Sequence, residues 1–220
     1  ETLTPASIKH EIDATLSRLG TDYGDLYQFH DPDPKVPIEE SWGAMQDLIQ
    51  AGKVRYGGLS NHPVELMEHA HAIAPVTSTQ NQYNMIVPDV ADDVLPYAHE
   101  KNIGSLAWGP TKDGFLIDSF NLDALEEKDF RRKRPLAQPD TYPRLQAFKQ
   151  ILADIARKHN KKVIDVIIAW DLSNPMLTAV IMGIRNQKEA REMTGSLDLE
   201  LDADDLKAIE AGLQTYRLRS

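Results

Sequence analysis

Apolar positions along the chain recur with two alternating periods. Between Pro5 and Leu19, Ile8, Ile12, Leu16 and Leu19 fall three or four apart, the spacing of one helical face. Thr4 is placed to cap that helix, Pro5 suits its first turn and Gly20 suits a left-handed stop. A short apolar run, Leu26, Tyr27 and Phe29, then predicts a buried strand ending at His30, just before the acidic, proline-broken "DPDP". The stretch "PIEESWGAMQDLIQAG" predicts a helix with Trp42, Met45, Leu48 and Ile49 on one face and Gly52 as its stop. Next, "VRYGGLSN" predicts a strand whose paired glycines imply close backbone approach. The cycle repeats through helical "PVELMEHAHAIA", strand "VTSTQNQYN", helical "DVADDVLPYAHEKN" and strand "GSLAWGP". An irregular stretch runs from Thr111 to Tyr142. Beyond it, "RLQAFKQILADIARKH" and "VIDVIIAWDLSN" predict helices, "LTAVIMGIRN" a last strand, and "KEAREM" and "DADDLKAIEAGLQ" terminal helices.

Strands alternating with helices over short connections predict an α/β protein with a parallel sheet and helices outside it. A doubly wound sheet and a (β/α)8 barrel both satisfy that order. No GxGxxG or phosphate-binding loop follows any strand, which weighs against the first. Polar groups collect where strands end: His30, Ser60 with Asn61, Gln80, Trp108, and Gly183 to Arg185. In a barrel those ends form the one face that carries chemistry, so the pattern favours the TIM-barrel type, with about five of the eight βα units on this chain and no internal domain boundary. On its own, a histidine ending a strand reads either as a rim residue or as a working one. Ser60 and Asn61 are also placed to cap the helix after Pro63, and Trp42 and Trp170 read as core residues on helices.

Composition narrows the function classes. With 220 residues and 41% hydrophobic positions the chain can bury a sizeable core. A net charge of −10 disfavours nucleic acid as a partner. No cysteine is present, which excludes disulfides, thiol nucleophiles and cysteine zinc sites and fits a reducing, cytoplasmic setting. No apolar run approaches the ~20 residues that span a bilayer, so no membrane association is expected. His69 and His71, two apart on a helix, do not share a face and suggest no metal. The dense basic run Arg131 to Arg134 reads as a solvated loop or as a holder of phosphates. The first residue is Glu1 rather than methionine, which points to a removed N-terminus or to part of something longer.

The segments "SRLGTDYGDLYQFHDPDP", "LIQAGKVRYGGLSN", "TQNQYN", "AWGPTKDGFL", "DFRRKRP" and "GIRNQKEARE" together resemble, in order, the aldo-keto reductases, and most of all the bacterial branch akin to potassium-channel β subunits. The similarity covers essentially the whole chain. It implies a (β/α)8 barrel that reduces aldehydes or ketones with NADPH, of which this chain is the C-terminal two-thirds. The βα units carrying the family's catalytic Asp, Tyr and Lys would precede it. By resemblance His30 orients or polarises the substrate carbonyl; Ser60, Asn61 and Gln80 hold the nicotinamide carboxamide; and Trp108 stacks on the nicotinamide. Gly109, Pro110 and Thr111 open the segment that covers the pyrophosphate. Gly183 leads to Arg185, a candidate ligand of the 2′-phosphate, while Glu189 and Glu192 lie toward the adenine. Ser119, Glu189 and Met193 depart from the lysine, glutamine and asparagine of relatives. The alternative is a non-catalytic partial barrel that binds dinucleotide or a partner. Open strand edges would favour self-association or pairing with a missing N-terminal segment.

Arg185 yields a test from sequence alone. A guanidinium fork at that place fits phosphate oxygens, and a charge-assisted contact of this kind is worth roughly 1.5–3 kcal/mol. Arg185→Ala should weaken NADPH binding by about one to two decades and leave NADH nearly unchanged, as read by fluorescence titration of both cofactors. An equal fall for both would assign Arg185 a structural role.

Overall fold

The structure, a computed structural model, describes residues 2–184, 186–192 and 198–218, with the side chains of Lys188 and Glu192 outside that description. Arg185, Met193 and the side chain of Glu192, all singled out by the sequence, therefore lie outside it. The elements run α1 (Pro5–Leu19), β1 (Gly24–Phe29), α2 (Ile38–Gln50), β2 (Val54–Ser60), α3 (Val64–Ile73), β3 (Ser78–Gln82), α4 (Val94–Glu100), β4 (Gly104–Trp108), α5 (Tyr142–Lys158), α6 (Val163–Leu172), β5 (Ala179–Ile181), α7 (Gln187–Glu192) and α8 (Ala203–Thr215). The strands lie in one sheet in the order β1-β2-β3-β4-β5, and β1 with β2 and β2 with β3 pair in parallel. That is the succession of a (β/α) barrel. Among the described residues no helix is long and apolar enough to cross a membrane.

Two compact units emerge from the contacts. The first holds residues 1–81 and 90–106. Its helix α1 is punctuated as the sequence predicts: Thr4 Oγ1 accepts from the Ser7 N–H at 3.3 Å, and Gly20 closes the helix at φ 66°. Ile8, Ile12 and Leu16 are buried, whereas Leu19, in the last turn, is 68% exposed and leaves the predicted stripe. The expectation of a buried β1 holds for one face only. Phe29 is buried and meets Trp42 edge-on at 5.9 Å. Leu26 and its register partner Tyr56 are exposed, because residues two apart share a face and only the opposite face meets α2.

The paired glycines of β2 explain how closely the neighbours approach. A Cβ on Gly57 would lie 2.8 Å from Met45 Cγ and 3.0 Å from the Trp42 ring, on the helix side. One on Gly58 would lie 2.9 Å from Gln28 Cγ and 3.0 Å from the Ser78 carbonyl oxygen, on the other face. Gln28, Gly58 and Ser78 are aligned across three strands, and Gln28 Nε2 reaches over the glycine to donate to Ser78 Oγ at 3.1 Å.

The second unit holds residues 82–89 and 107–220. Its core gathers Phe115, Leu116, Leu145, Phe148, Leu152 and Ile167. The stretch from Thr111 to Tyr142, irregular by sequence, contains two short 3₁₀ turns, Phe130–Lys133 and Pro135–Ala137, and packs inward through Phe115 and Phe120, whose rings lie 4.5 Å apart. Trp170 is only partly buried and stacks on Tyr83 at 5.5 Å. Tyr83, expected on a strand, lies one residue past β3. His159, Asp202 and Asp205 cluster at the start of α8, and Lys158 Nζ donates to both carboxylates at 2.7 and 2.8 Å.

One buried group is costly. Asp171 on α6 is 0% exposed, and neither carboxylate oxygen has a hydrogen-bond partner among the described residues. Burial alone raises its pKa well above the ordinary carboxylate value. The folded state therefore holds the proton more tightly than the unfolded chain does. Its stabilisation is complete below the unfolded carboxylate pKa and is lost as pH rises toward the folded one. Asp171→Leu should remove that slope and raise stability near neutral pH by about 1–3 kcal/mol, read from urea unfolding across pH. Gly58→Ala should act the other way and cost roughly 1–3 kcal/mol, because the added methyl meets backbone as well as side chain.

Candidate active site

In the first unit the sheet register sets up a row. Phe29, Leu59 and Thr79 are aligned, as are Ser60 and Gln80, so His30, Ser60 and Gln80 continue the face of Gln28, Gly58 and Ser78 at the strands' C-terminal ends. His30 lies one residue past β1, exposed, with Nδ1 3.4 Å from Asp31 Oδ2. Asn61 ties the ends together. Its backbone is left-handed at φ 58°, a conformation asparagine tolerates better than most residues. Its N–H donates to the Gln80 carbonyl at 2.9 Å, and its Nδ2 donates to the His30 carbonyl at 3.1 Å and to Asp31 Oδ1 at 2.9 Å.

Ser60 is buried, and its Oγ has no hydrogen-bond partner among the described residues. Helix α3 starts after Pro63 without any side-chain cap, so the capping role open to Ser60 and Asn61 is not realised. His62, which the sequence did not single out, is buried beneath them. Its Nδ1 lies 2.7 Å from the Ser60 carbonyl oxygen, which requires the proton on Nδ1. Burial holds its pKa below the usual value, against opposing pulls from that carbonyl and from Asp31, so the ring is neutral at neutral pH.

The second unit carries another group. Trp108 ends β4, partly buried, and its carbonyl accepts from the Tyr83 N–H at 3.2 Å. Gly109 turns at φ 70° and Pro110 is buried. The turn is held by Asn84, fully buried, whose Nδ2 donates to the Gly109 carbonyl at 2.8 Å while its Oδ1 accepts from the Ile86 and Val87 N–H groups at 3.0 and 2.9 Å. Asn84 closes the "TQNQYN" stretch and was assigned no role by sequence. The motif was visible, but the partner 25 residues away was not.

A cleft of about 550 Å³ follows, with Thr111, Gly114, Ser119, Arg131, Gly183 and Glu189 in its walls. Gly114 adopts φ 87°. Lys162 lines the same cleft, as do Asp113 and Asp118. Of the predicted site residues, the structure thus gathers His30, Ser60, Asn61 and Gln80 in one unit, and Thr111, Gly183 and Glu189 in a cleft of the other. The basic run is not simply solvated: Arg131 pairs with Asp129, Arg132 donates to the Leu125 and Glu126 carbonyls, and Arg134 lies 3.2 Å from Asp113. His69 sits beside Glu39 at 3.0 Å and His71 accepts from the Val76 N–H, so the two histidines face different neighbours.

A parallel sheet with polar groups at its strand ends defines a barrel-type site, and comparison with known proteins gives the family. Residues 1–213 match the Aldo/keto reductase family, and the chain belongs to it. It is 33% identical over 209 residues to the aldo-keto reductase str7 of Strobilurus tenacellus, covering 93% of this chain and 62% of that protein. It is also 33% identical over 211 residues to the aldo-keto reductase YhdN of Bacillus subtilis, covering 95% and 64%. Among solved structures, the glycerol dehydrogenase AKR11B4 of Gluconobacter oxydans superposes with a TM-score of 0.93 at 29% identity, covering 98% of this chain and 66% of that one. The chain thus spans about three-fifths of the length of the curated relatives it matches. The resemblance read from the motifs and the barrel-type fold are both borne out.

Proposed function

We propose that the chain is the C-terminal two-thirds of one aldo-keto reductase barrel that reduces aldehyde or ketone groups with NADPH, in the cytoplasm. The observation that carries this reading is the row His30, Ser60 and Gln80 at aligned strand ends, locked by Asn61, within a chain of this family. The residues fit a dinucleotide. Ser60 Oγ is a buried polar atom with no partner among the described residues, beside an amide pair of the kind a carboxamide needs, and, in the second unit, the cleft beyond Gly109 carries Arg131 and Lys162 with three acids and a left-handed glycine. When bound, NADPH would supply the hydride.

His30 acts on the carbonyl oxygen, as donor or orienting group. Asn61 Nδ2 holds its backbone carbonyl, and Asp31 lies beside its ring, which is exposed. Ser60, Asn61 and Gln80 orient the carboxamide; Trp108, by resemblance, covers one face of the nicotinamide. The proton donor is assigned to the family's Tyr on βα units that precede those matched here. Neither Tyr27, whose pKa burial raises, nor Tyr83, whose hydroxyl accepts from Asn174 at 3.3 Å, has the setting of a substitute. The substrate is a small carbonyl compound. Nucleic acid is disfavoured by the net charge of −10, and the exposed face with Leu26 and Tyr56 is where pairing with an N-terminal segment or a second copy would occur.

Carbonyl-dependent oxidation of NADPH tests the reading. In a protein that also carries the preceding βα units, His30→Ala should lower kcat by about 10²–10⁴-fold, the range of positioned acid–base groups, while NADPH affinity changes little. Loss of NADPH affinity with an unchanged single-turnover rate would remove His30 from the chemistry. Tight dinucleotide binding without turnover, in a protein that carries the preceding βα units as well, would favour the binding-only alternative.

A further inference from the structure

We propose that the groove between the loop after β1 and the N-terminal turns of α2 and α3 is a second ligand site, built for a small, largely apolar, uncharged molecule whose one hydroxyl donates to His62 Nε2. The groove has a volume of about 750 Å³, within the range of small-molecule sites. Leu3, Val36, Ile38 and Leu66 give it apolar walls. Four of its lining residues are prolines, Pro32, Pro34, Pro37 and Pro63, whose fixed φ leaves the wall little freedom to lose when a ligand enters. None of His30, Ser60, Asn61 and Gln80 lines it, so it is separate from the row at the strand ends.

The polar groups of the walls define what the occupant must bring. Asp33 is committed to the fold: its Oδ2 accepts from the Leu3 N–H at 3.0 Å and its Oδ1 from the Lys35 N–H at 2.9 Å. Ser41 Oγ donates to the Leu3 carbonyl at 2.8 Å. Glu39 lies 3.0 Å from His69 Nδ1, and both side chains are exposed. Lys35 is exposed as well, its charge open to water. An ionic ligand would therefore find no buried counter-charge among these residues, whereas an apolar one would meet apolar walls.

His62 is the exception. It lines the groove, is 1% exposed, and gives its Nδ1–H to the Ser60 carbonyl at 2.7 Å. Burial lowers its pKa and keeps the ring neutral, so Nε2 carries a lone pair and can only accept. That nitrogen has no hydrogen-bond partner among the described residues. A buried acceptor left unmet is costly, and a donor brought by a ligand removes the cost. A hydroxyl suits the task because it donates without adding charge to an apolar groove. An apolar molecule without a donor would leave Nε2 as it is. The one imidazole thus joins the groove to Ser60 through its two nitrogens.

Calorimetric titration of 2-naphthol and of 2-methoxynaphthalene, which has the same rings but no donor, into wild type, His62→Asn, Leu66→Trp and His30→Ala tests the site. Wild type should bind 2-naphthol roughly 5- to 10-fold more tightly than the ether, the contribution of one hydrogen bond between neutral groups. His62→Asn, whose shorter side chain can reach the Ser60 carbonyl but puts no atom in the place of Nε2, should abolish that preference. Leu66→Trp, which fills the groove, should weaken both probes by about 10-fold or more. His30→Ala should bind both as wild type does. No binding of either probe, equal affinity for the two in wild type, a preference that survives His62→Asn, or binding lost in His30→Ala would overturn the proposal. So would binding that disappears in a protein carrying the preceding βα units, which would make the groove the seat of that segment. If His62→Asn or Leu66→Trp unfolds, the nitrogen resonance of His62 Nε2 in the wild type decides: it should shift with 2-naphthol and not with the ether, and no shift with 2-naphthol would overturn the site.

Discussion

The bond from Gln28 to Ser78 across Gly58 is the constraint on which the site in the first unit depends. Three parallel strands are brought level because the middle one has no side chain at the crossing point. Parallel pairing has no turn to set its register, so side-chain packing must do so. With Gln28, Gly58 and Ser78 in line, the next residues on that face are His30, Ser60 and Gln80. A slip of one residue in any strand would turn its end residue to the helix side, where Met45 and Trp42 lie against Gly57. The polar row is thus a consequence of two glycines that serve opposite faces of one strand.

Past the strand ends, polar side chains maintain order by bonding backbone carbonyls of other segments. Asn61 and Asn84 do equivalent work in the two units. Each uses its amide to hold a carbonyl of a separate segment, that of His30 or that of Gly109. Asparagine suits the task because one side chain donates and accepts in fixed geometry. Farther along, the segment from Thr111 to Tyr142 has little regular structure yet is anchored by Phe115, Phe120 and the Asp129–Arg131 fork. A cleft wall made of such a segment can vary in sequence without disturbing the sheet, which is how one fold accommodates different ligands.

Asp171 and Ser60 show the opposite situation: buried polar atoms without partners among the described residues. The carboxyl on α6 weakens the fold near neutral pH, because burial disfavours its charged form. The hydroxyl at the end of β2 stands among site residues, where an unpaired group that a ligand could satisfy is a functional arrangement rather than a defect.

The order of elements, the caps of α1, the close approach at Gly57 and Gly58, and the family itself were all legible in the sequence, because each rests on local spacing or on residue types with few alternatives. Thr4, Pro5 and Gly20 act within one turn of their own positions. The pairing of Asn84 with Gly109 and the burial of His62 beside Ser60 were not legible. They depend on which segments meet, and hydrogen-bond partners 25 residues apart leave no periodic trace. Leu26 likewise reads as buried from its type but stands exposed, since burial is decided by what covers a face and not by the residue that faces it. Sequence alone determined which backbone conformations were affordable and where polar groups gather. Only the tertiary structure decided which of those groups face one another, because that follows from strand register and from packing across the chain.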